Sequence, residues 1–229
     1  MNQELAYVIR LYSTGSHEEL NRYLLGKSKD TLISTLLDLL TMYINDKNSS
    51  TLREFLTVTM AGYSHKEGKI GYNGFKQDAY LPGRTITCEA KPKNVDTHSQ
   101  PLRKLNGGGN FTDYTFERLE RDKSESGLNL LVSGFVDGKL IYILEFPFAF
   151  PGFVENLEKQ LRDRFPGGED INGQFLRAAN FDYRDFVACP ELKVVYLLGK
   201  DQLRAYQPYI VRGFYQFLEG RAAWPQRST

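Results

Sequence analysis

Residues 128–146 read LNLLVSGFV, then Asp137-Gly138, then KLIYILEF. Two apolar stretches of strand length flank a strong hairpin turn signal. Neither stretch alternates between polar and apolar residues, as a strand with one wet face would. A strand that is apolar on both sides has to be covered on both faces. The rest of the chain must therefore supply layers above and below a sheet, which points to an α/β architecture.

Helical patterns are available for those layers. Residues 1–62 are helical in character: Glu4–Tyr12 is amphipathic, and Ser16 is placed to cap His17–Leu25. Ser28 opens Lys29–Asn45, where Leu32, Ile33, Leu36, Leu37, Leu40, Tyr43 and Ile44 follow helical spacing. We read this front end as packed on the sheet, with a dimerisation surface as the alternative. Thr51-x-x-Glu54 resembles a capping box for a helix over Leu52–Ala61. Thr112–Lys123 reads as a further helix capped by Thr112 or Asp113, with a Glu117–Arg121 pair on its surface. Val154–Phe165 is amphipathic. Lys193–Leu198 is a buried strand, and Gln202–Leu218 is a helix capped by Asp201 and broken at Pro208. The aromatic run Phe146–Phe153 suits either buried packing or stacking on bases.

Composition is that of a folded domain: 229 residues, 41% hydrophobic, with a net charge of +1 that argues against a highly basic, histone-like binder. Met1–Arg10 lacks the apolar run of a signal peptide, and no stretch reaches membrane-span length. Cys88 and Cys189 have no metal-ligand spacing and read as buried thiols of a reducing cytoplasm.

Chemistry is concentrated in Gly71–Asn94, GYNGFKQDAYLPGRTITCEAKPKN. Thr85–Lys91 alternates like a strand. Ile86, Cys88 and Ala90 share one face, and Thr87, Glu89 and Lys91 the other. With Gly83-Arg84 as a two-residue turn, Asp78 falls opposite Glu89, about 5 Å apart at the Cβ atoms. Two carboxylates that close raise each other's pKa unless a cation joins them. Mg²⁺ takes such carboxylates and keeps several waters, and a neighbouring lysine suits the charge of a phosphate in hydrolysis. Glu67 would reach the same site if its segment enters the first strand. His65 reads as structural.

Asp78, then Glu89-Ala90-Lys91 after a spacer, resembles the PD-(D/E)xK nuclease superfamily, although Gln77 stands where that motif has Pro. The resemblance spans residues 51–147. It implies an αβββαβ mixed sheet flanked by helices, with 51–62 as first helix and 112–124 as crossover. Residues 1–50 are then an N-terminal helical extension, and 51–229 form a catalytic domain with DNA-contacting loops, the two making one compact unit. It also implies Mg²⁺ held by Asp78 and Glu89, with Lys91 at the attacking water; some members add an acid from the helix before the hairpin, a place that Glu54 fills in competition with Glu67, although capping suits Glu54 better. The group it most resembles is the type II restriction endonucleases: homodimers that cut a short sequence in double-stranded DNA, with a cognate DNA methyltransferase as functional partner.

Two polar stretches are candidates for DNA contact. Residues 92–111 read as a long mobile loop beside the site, bearing Lys93, Arg103, Lys104 and Asn110 around Gly107-Gly108-Gly109; it lacks the context of a nucleotide-binding P-loop. Residues 167–191 carry Asn172, Gln174, Arg177, Asn180 and Arg184, residue types that pair with base edges. The alternatives to a sequence-specific endonuclease are a structure-specific repair or recombination nuclease and a non-catalytic DNA-binding subunit.

Overall fold

The structure is a computed structural model and describes residues 2–45, 50–66, 71–98 and 100–222. Along the chain run α1 (Gln3–Thr14), α2 (His17–Leu25), α3 (Lys29–Asn45), α4 (Thr51–Met60), β1 (Ser64–His65), β2 (Gly74–Gln77) and β3 (Thr85–Val95). β4 (Gly109–Tyr114), α5 (Phe116–Ser124), β5 (Leu128–Val136), β6 (Lys139–Pro147) and α6 (Pro151–Arg164) follow. The chain continues through β7 (Leu176–Phe181), β8 (Lys193–Leu197), α7 (Lys200–Ala205) and α8 (Arg212–Ala222). The architecture is mixed α/β. A six-stranded sheet has the order β1-β2-β3-β5-β6-β8, and β4 and β7 form a separate two-stranded ribbon.

The apolar hairpin is the centre of that sheet. Asp137 (φ 47°) and Gly138 (φ 78°) form the turn between Val136 and Lys139. Two positive φ values are what a hairpin turn matched to strand twist requires. Both faces are covered. Leu130, Val132, Leu144 and Phe146 join the large core under α6 and α8, while Leu131, Phe135, Leu140 and Ile143 pack on the α4 side. A buried Thr57–Ser133 hydroxyl pair at 2.6 Å fixes α4 on β5. β3 runs parallel to β5, Thr87 beside Leu128 through Val95 beside Val136. The connection that makes this possible includes α5.

Several expectations change. The helix predicted from Thr112 begins at Phe116. Thr115, not Thr112 or Asp113, is its cap and accepts from Arg118 N at 3.1 Å. Residues 109–114 are strand instead, drawn into pairing with β7, so Phe111 and Tyr114 become core. Arg121 binds Asp122 at 3.0 Å rather than Glu117. Residues 92–111 are not one long loop, because 92–95 continue β3 and 109–111 begin β4. β3 runs through Pro92 to Val95, beyond the last β2 partner at Cys88, where a strand edge tolerates proline. Leu105, Gly107 and Gly108 are buried. The aromatic run is interior, with Phe146, Phe148 and Phe153 at most 1% exposed, which leaves nothing of them to stack on bases. Pro208 does break the C-terminal helix, between α7 and α8, but Gly199 rather than Asp201 is the N-cap of α7.

In the N-terminal helices the Ser16–Glu19 capping box forms as expected. The apolar face of α3 is less buried than its periodicity predicts: Ile33, Leu36, Leu37 and Leu40 are 44–58% exposed. Tyr43 and Ile44 belong to the same pattern, but their side chains lie outside the described set. No helix among the described residues is long and apolar enough to cross a membrane.

Candidate active site

Glu89 and Lys91 stand on one face of β3, as strand alternation requires. Lys91 Nζ lies 2.7 Å from Glu89 Oε1, and the two side chains are only 18% and 13% exposed. The ammonium also sits 4.5 Å from the centre of the Phe111 ring. The opposite face of the strand is apolar: Cys88 and Ala90 pack with Val58, Tyr63 and Leu131 beneath α4. Burial there drives the Cys88 thiol pKa up, far from reactivity, so the buried free thiol anticipated from the sequence is found.

Asp78 does not face Glu89. The observed register sets Gly74 opposite Cys88 and Gln77 opposite Thr85. The connection is not a Gly83-Arg84 turn but a wider loop closed by Asp78 N donating to Arg84 O at 2.9 Å. The Asp78 carboxylate explains the difference. Its Oδ1 accepts from Tyr80 N at 2.9 Å and Leu81 N at 3.3 Å, and Oδ2 lies 3.8 Å from Arg84. This is the side-chain-to-backbone turn that aspartate favours. Glu89 lies five residues up the strand from Arg84, roughly 16 Å at strand rise. One ion cannot bridge the two carboxylates in this arrangement.

A different acid approaches β3. The predicted capping box at Thr51 is absent: Ser50 is the N-cap and makes no side-chain cap bond. Glu54 reaches Asn73 instead, with Oε2 3.4 Å from Asn73 Nδ2. Asn73 Oδ1 in turn accepts from Ala90 N at 2.8 Å, where the β2 ladder has ended. One carboxamide thus ties Glu54 to the backbone between Glu89 and Lys91. Glu67, the other candidate ligand, lies outside the described residues. His65 packs edge-on to Phe55, 5.6 Å between ring centres, in keeping with a structural role.

Beyond Lys91 the same face continues into a basic row. Lys93 Nζ donates to Asn106 Oδ1 at 3.1 Å. Burial, then the neighbouring Arg103, pulls its pKa down, while Asp182 opposes this. Arg184 is exposed and grips Asp182 through Nε at 3.0 Å and Nη2 at 2.6 Å. Lys93, Arg103 and Arg184, far apart in sequence, are therefore neighbours around Asn106 and Asp182. Lys104 is exposed.

Of the remaining candidates, Asn110 and Asn180 are brought together as partners in the β4–β7 ribbon, with Arg177 on the same strand. Asn172 and Gln174 are exposed in the turn before β7, where Gln174 accepts from Arg164 at 3.3 Å. That turn is tied down by Asp170, whose carboxylate accepts from Phe116 N and Glu117 N, both at 2.8 Å, at the start of α5.

Two buried carboxylates escaped the sequence reading. Asp122 on α5 receives Arg121 and the Tyr72 hydroxyl, at 3.0 and 3.2 Å, and Arg118 at 3.7 Å. Tyr72, pushed up to about 12 mainly by burial and then by Asp122, remains a donor. Asp122 thereby anchors the residue next to Asn73. Glu145 on β6 accepts from Tyr63 Oη at 2.7 Å and lies 3.5 Å from Lys76 Nζ, on the α4 side of the sheet. A lone Asp on an amphipathic helix, or a Glu ending an apolar strand, carries no local signal that its carboxylate will be interior.

Among the described residues no group of three or more His, Cys, Asp or Glu side chains is gathered tightly enough to hold a metal ion by itself. Mg²⁺ does not need such a cage; one or two carboxylates with water and substrate phosphate suffice. No protein-family model matches the chain, and no curated protein matches it.

Proposed function

We propose that the chain is a Mg²⁺-dependent endonuclease that hydrolyses phosphodiester bonds of double-stranded DNA at a defined sequence. The observation that carries this reading is the Glu89–Lys91 pair, continued by a row of cations, with Glu54 of α4 linked through Asn73 to the backbone of the same strand. The element order is α4-β1-β2-β3-β4-α5-β5, with β3 parallel to β5. Because β4 leaves the main sheet for the ribbon, the elements of the main sheet and its helices follow the αβββαβ order that the motif implies, which supports a restriction-endonuclease-like core.

Glu89 and Glu54 are the residues we assign to Mg²⁺. The ion would supply charge neutralisation at the phosphate and acidify a water. Lys91 leaves Glu89 to donate to a phosphate oxygen or to orient the attacking water as negative charge develops. The Phe111 ring limits solvation of the ammonium and keeps it directed along the strand. Lys93, Arg103 and Arg184 take the flanking backbone phosphates, contacts that fix register without reading sequence. Asp78 holds the hairpin loop. A two-fold homodimer, suited to two-fold DNA symmetry, belongs to the same proposal.

The test is digestion of long duplex DNA by purified protein in Mg²⁺ and in EDTA. Discrete Mg²⁺-dependent fragments, lost in Glu89→Gln and Lys91→Ala, are expected. Preferential cutting of branched substrates would favour a repair nuclease instead. Sequence-dependent binding without cutting would favour a non-catalytic subunit.

A further inference from the structure

We infer that the β4–β7 ribbon is the element that reads base sequence, with Asn110 and Asn180 acting as one paired reader in the major groove. The inference rests on the nuclease reading above and adds to it which residues choose the site.

The ribbon is separate from the main sheet and has two different faces. Phe111, Ala179 and Phe181 point inward and are 0–5% exposed. Asn110, Thr112 and Asn180 point outward and are exposed. Asn110 is the Cα partner of Asn180. The kind of pairing follows from the hydrogen bonds. Asn180 N donates to Gln160 Oε1 at 2.8 Å, and Asn180 O accepts from Gln160 Nε2 at 2.7 Å and Asn156 Nδ2 at 3.1 Å. Both backbone groups of Asn180 are thus turned to α6 and away from β4. In an antiparallel pair such a position is a non-hydrogen-bonded one, where the two Cα atoms approach to about 4.5 Å and the side chains are closest. The two side chains therefore leave the ribbon on the same face, with Asn180 Nδ2 donating to Ala178 O at 3.2 Å, a bond it would exchange for a base edge, and the α6 amides brace the strand.

The chemistry and dimensions suit duplex DNA. A two-stranded ribbon, its strands about 4.8 Å apart, fits a major groove about 12 Å wide. A carboxamide offers one donor and one acceptor, the pattern that adenine presents at N7 and N6. Arg177 and Asp113, both exposed toward the Tyr114 end of the ribbon, carry the types that pair with guanine and cytosine. The inner face rests on the catalytic strand. Phe111 covers the Lys91 ammonium, and a Cβ built on Gly109 would lie 3.0 Å from Lys91 Cβ. Bases read by the ribbon would lie next to the phosphate that Lys91 serves.

The experiment is a cleavage profile on a duplex library with a randomised window, the cut ends being sequenced. Wild type, Asn110→Ala, Asn180→Ala and Gln160→Ala are compared. Wild type is expected to cut at a defined sequence. Each Asn variant should lose about tenfold or more discrimination at one position or at adjacent positions, and Gln160→Ala should relax the position lost in Asn180→Ala. Where a variant cuts too slowly, selection of bound duplexes with the same substitution in a Lys91→Ala background reads the same preference. Unchanged preference in both Asn variants would overturn the ribbon assignment while leaving the nuclease reading intact; wild-type cutting without preference would overturn the ribbon assignment together with the sequence-specific part of that reading. No Mg²⁺-dependent cutting of any duplex would overturn both.

Discussion

Two hairpins of this molecule obey different rules. β5–β6 is buried on both faces and turns over Asp137-Gly138; β2–β3 pairs only Gly74–Gln77 with Thr85–Cys88, and Phe75 on β2 is 44% exposed. In the first, a one-residue slip would move a complete apolar set to the wrong face, so burial dictates the register. In the second, little burial is at stake, and a single side chain decides. Asp78 accepts two loop N–H groups and opens the turn, which separates it from Glu89. The stable hairpin carries none of the residues proposed for catalysis, whereas the lightly held one carries Glu89 and Lys91 on its inner strand. β3 reconciles the two, because its other edge is locked to β5 along nine residue pairs.

This division can be broken or sharpened by substitution. The largest effect is expected from Lys91→Ala, with Mg²⁺-dependent cleavage falling about 10²- to 10³-fold while the thermal unfolding temperature stays close to wild type. Loss of folding would instead place Lys91 in the scaffold. Next, Leu131→Ala in β5 should cost about 2–5 kcal/mol, and Phe75→Ala in β2 less than about 1 kcal/mol, both read by urea unfolding. Equal costs would erase the contrast. The turns give a finer comparison. Gly138→Ala meets both a left-handed φ and the Tyr12 ring, 3.1 Å from the new Cβ, whereas Gly83 (φ 85°) has nothing within 4 Å. We expect about 2 kcal/mol for the first and about 1 kcal/mol for the second. The smallest effect is expected from Asp78→Ala: about 1 kcal/mol of stability and a wild-type cleavage rate. A rate as low as that of Lys91→Ala would show that Asp78 reaches Glu89 in the working enzyme.

Legibility in the sequence followed the same division. The central strands, Asp137-Gly138, the Ser16 cap and the shared face of Glu89 and Lys91 could be read from local pattern, because period and turn chemistry act over a few residues. The β4–β7 ribbon could not. Neither GNFTDY nor LRAANF looks decisive alone, and each becomes strand only by pairing with a partner more than sixty residues away. For the same reason Asn110 and Asn180 read as unrelated loop residues. The Glu54 environment was hidden by a plausible local rival, since Thr51-x-x-Glu54 has the form of a capping box while Ser50 is the cap in the structure. The Asp78 register failed where a Gly83-Arg84 turn was inferred without the carboxylate's own hydrogen bonds.

Gly109 has a consequence of its own. Its missing side chain lets the ribbon lie flush on β3, with Lys91 Cβ and the Phe181 ring both within 3.0 Å of where a Cβ would be. With no slack between them, a displacement of the ribbon by half an ångström is passed to the lysine stem rather than absorbed. If the ribbon reads bases as proposed, contact at the outer carboxamides and alignment of the ammonium become a single mechanical event, and a poorly seated duplex would find the lysine out of place.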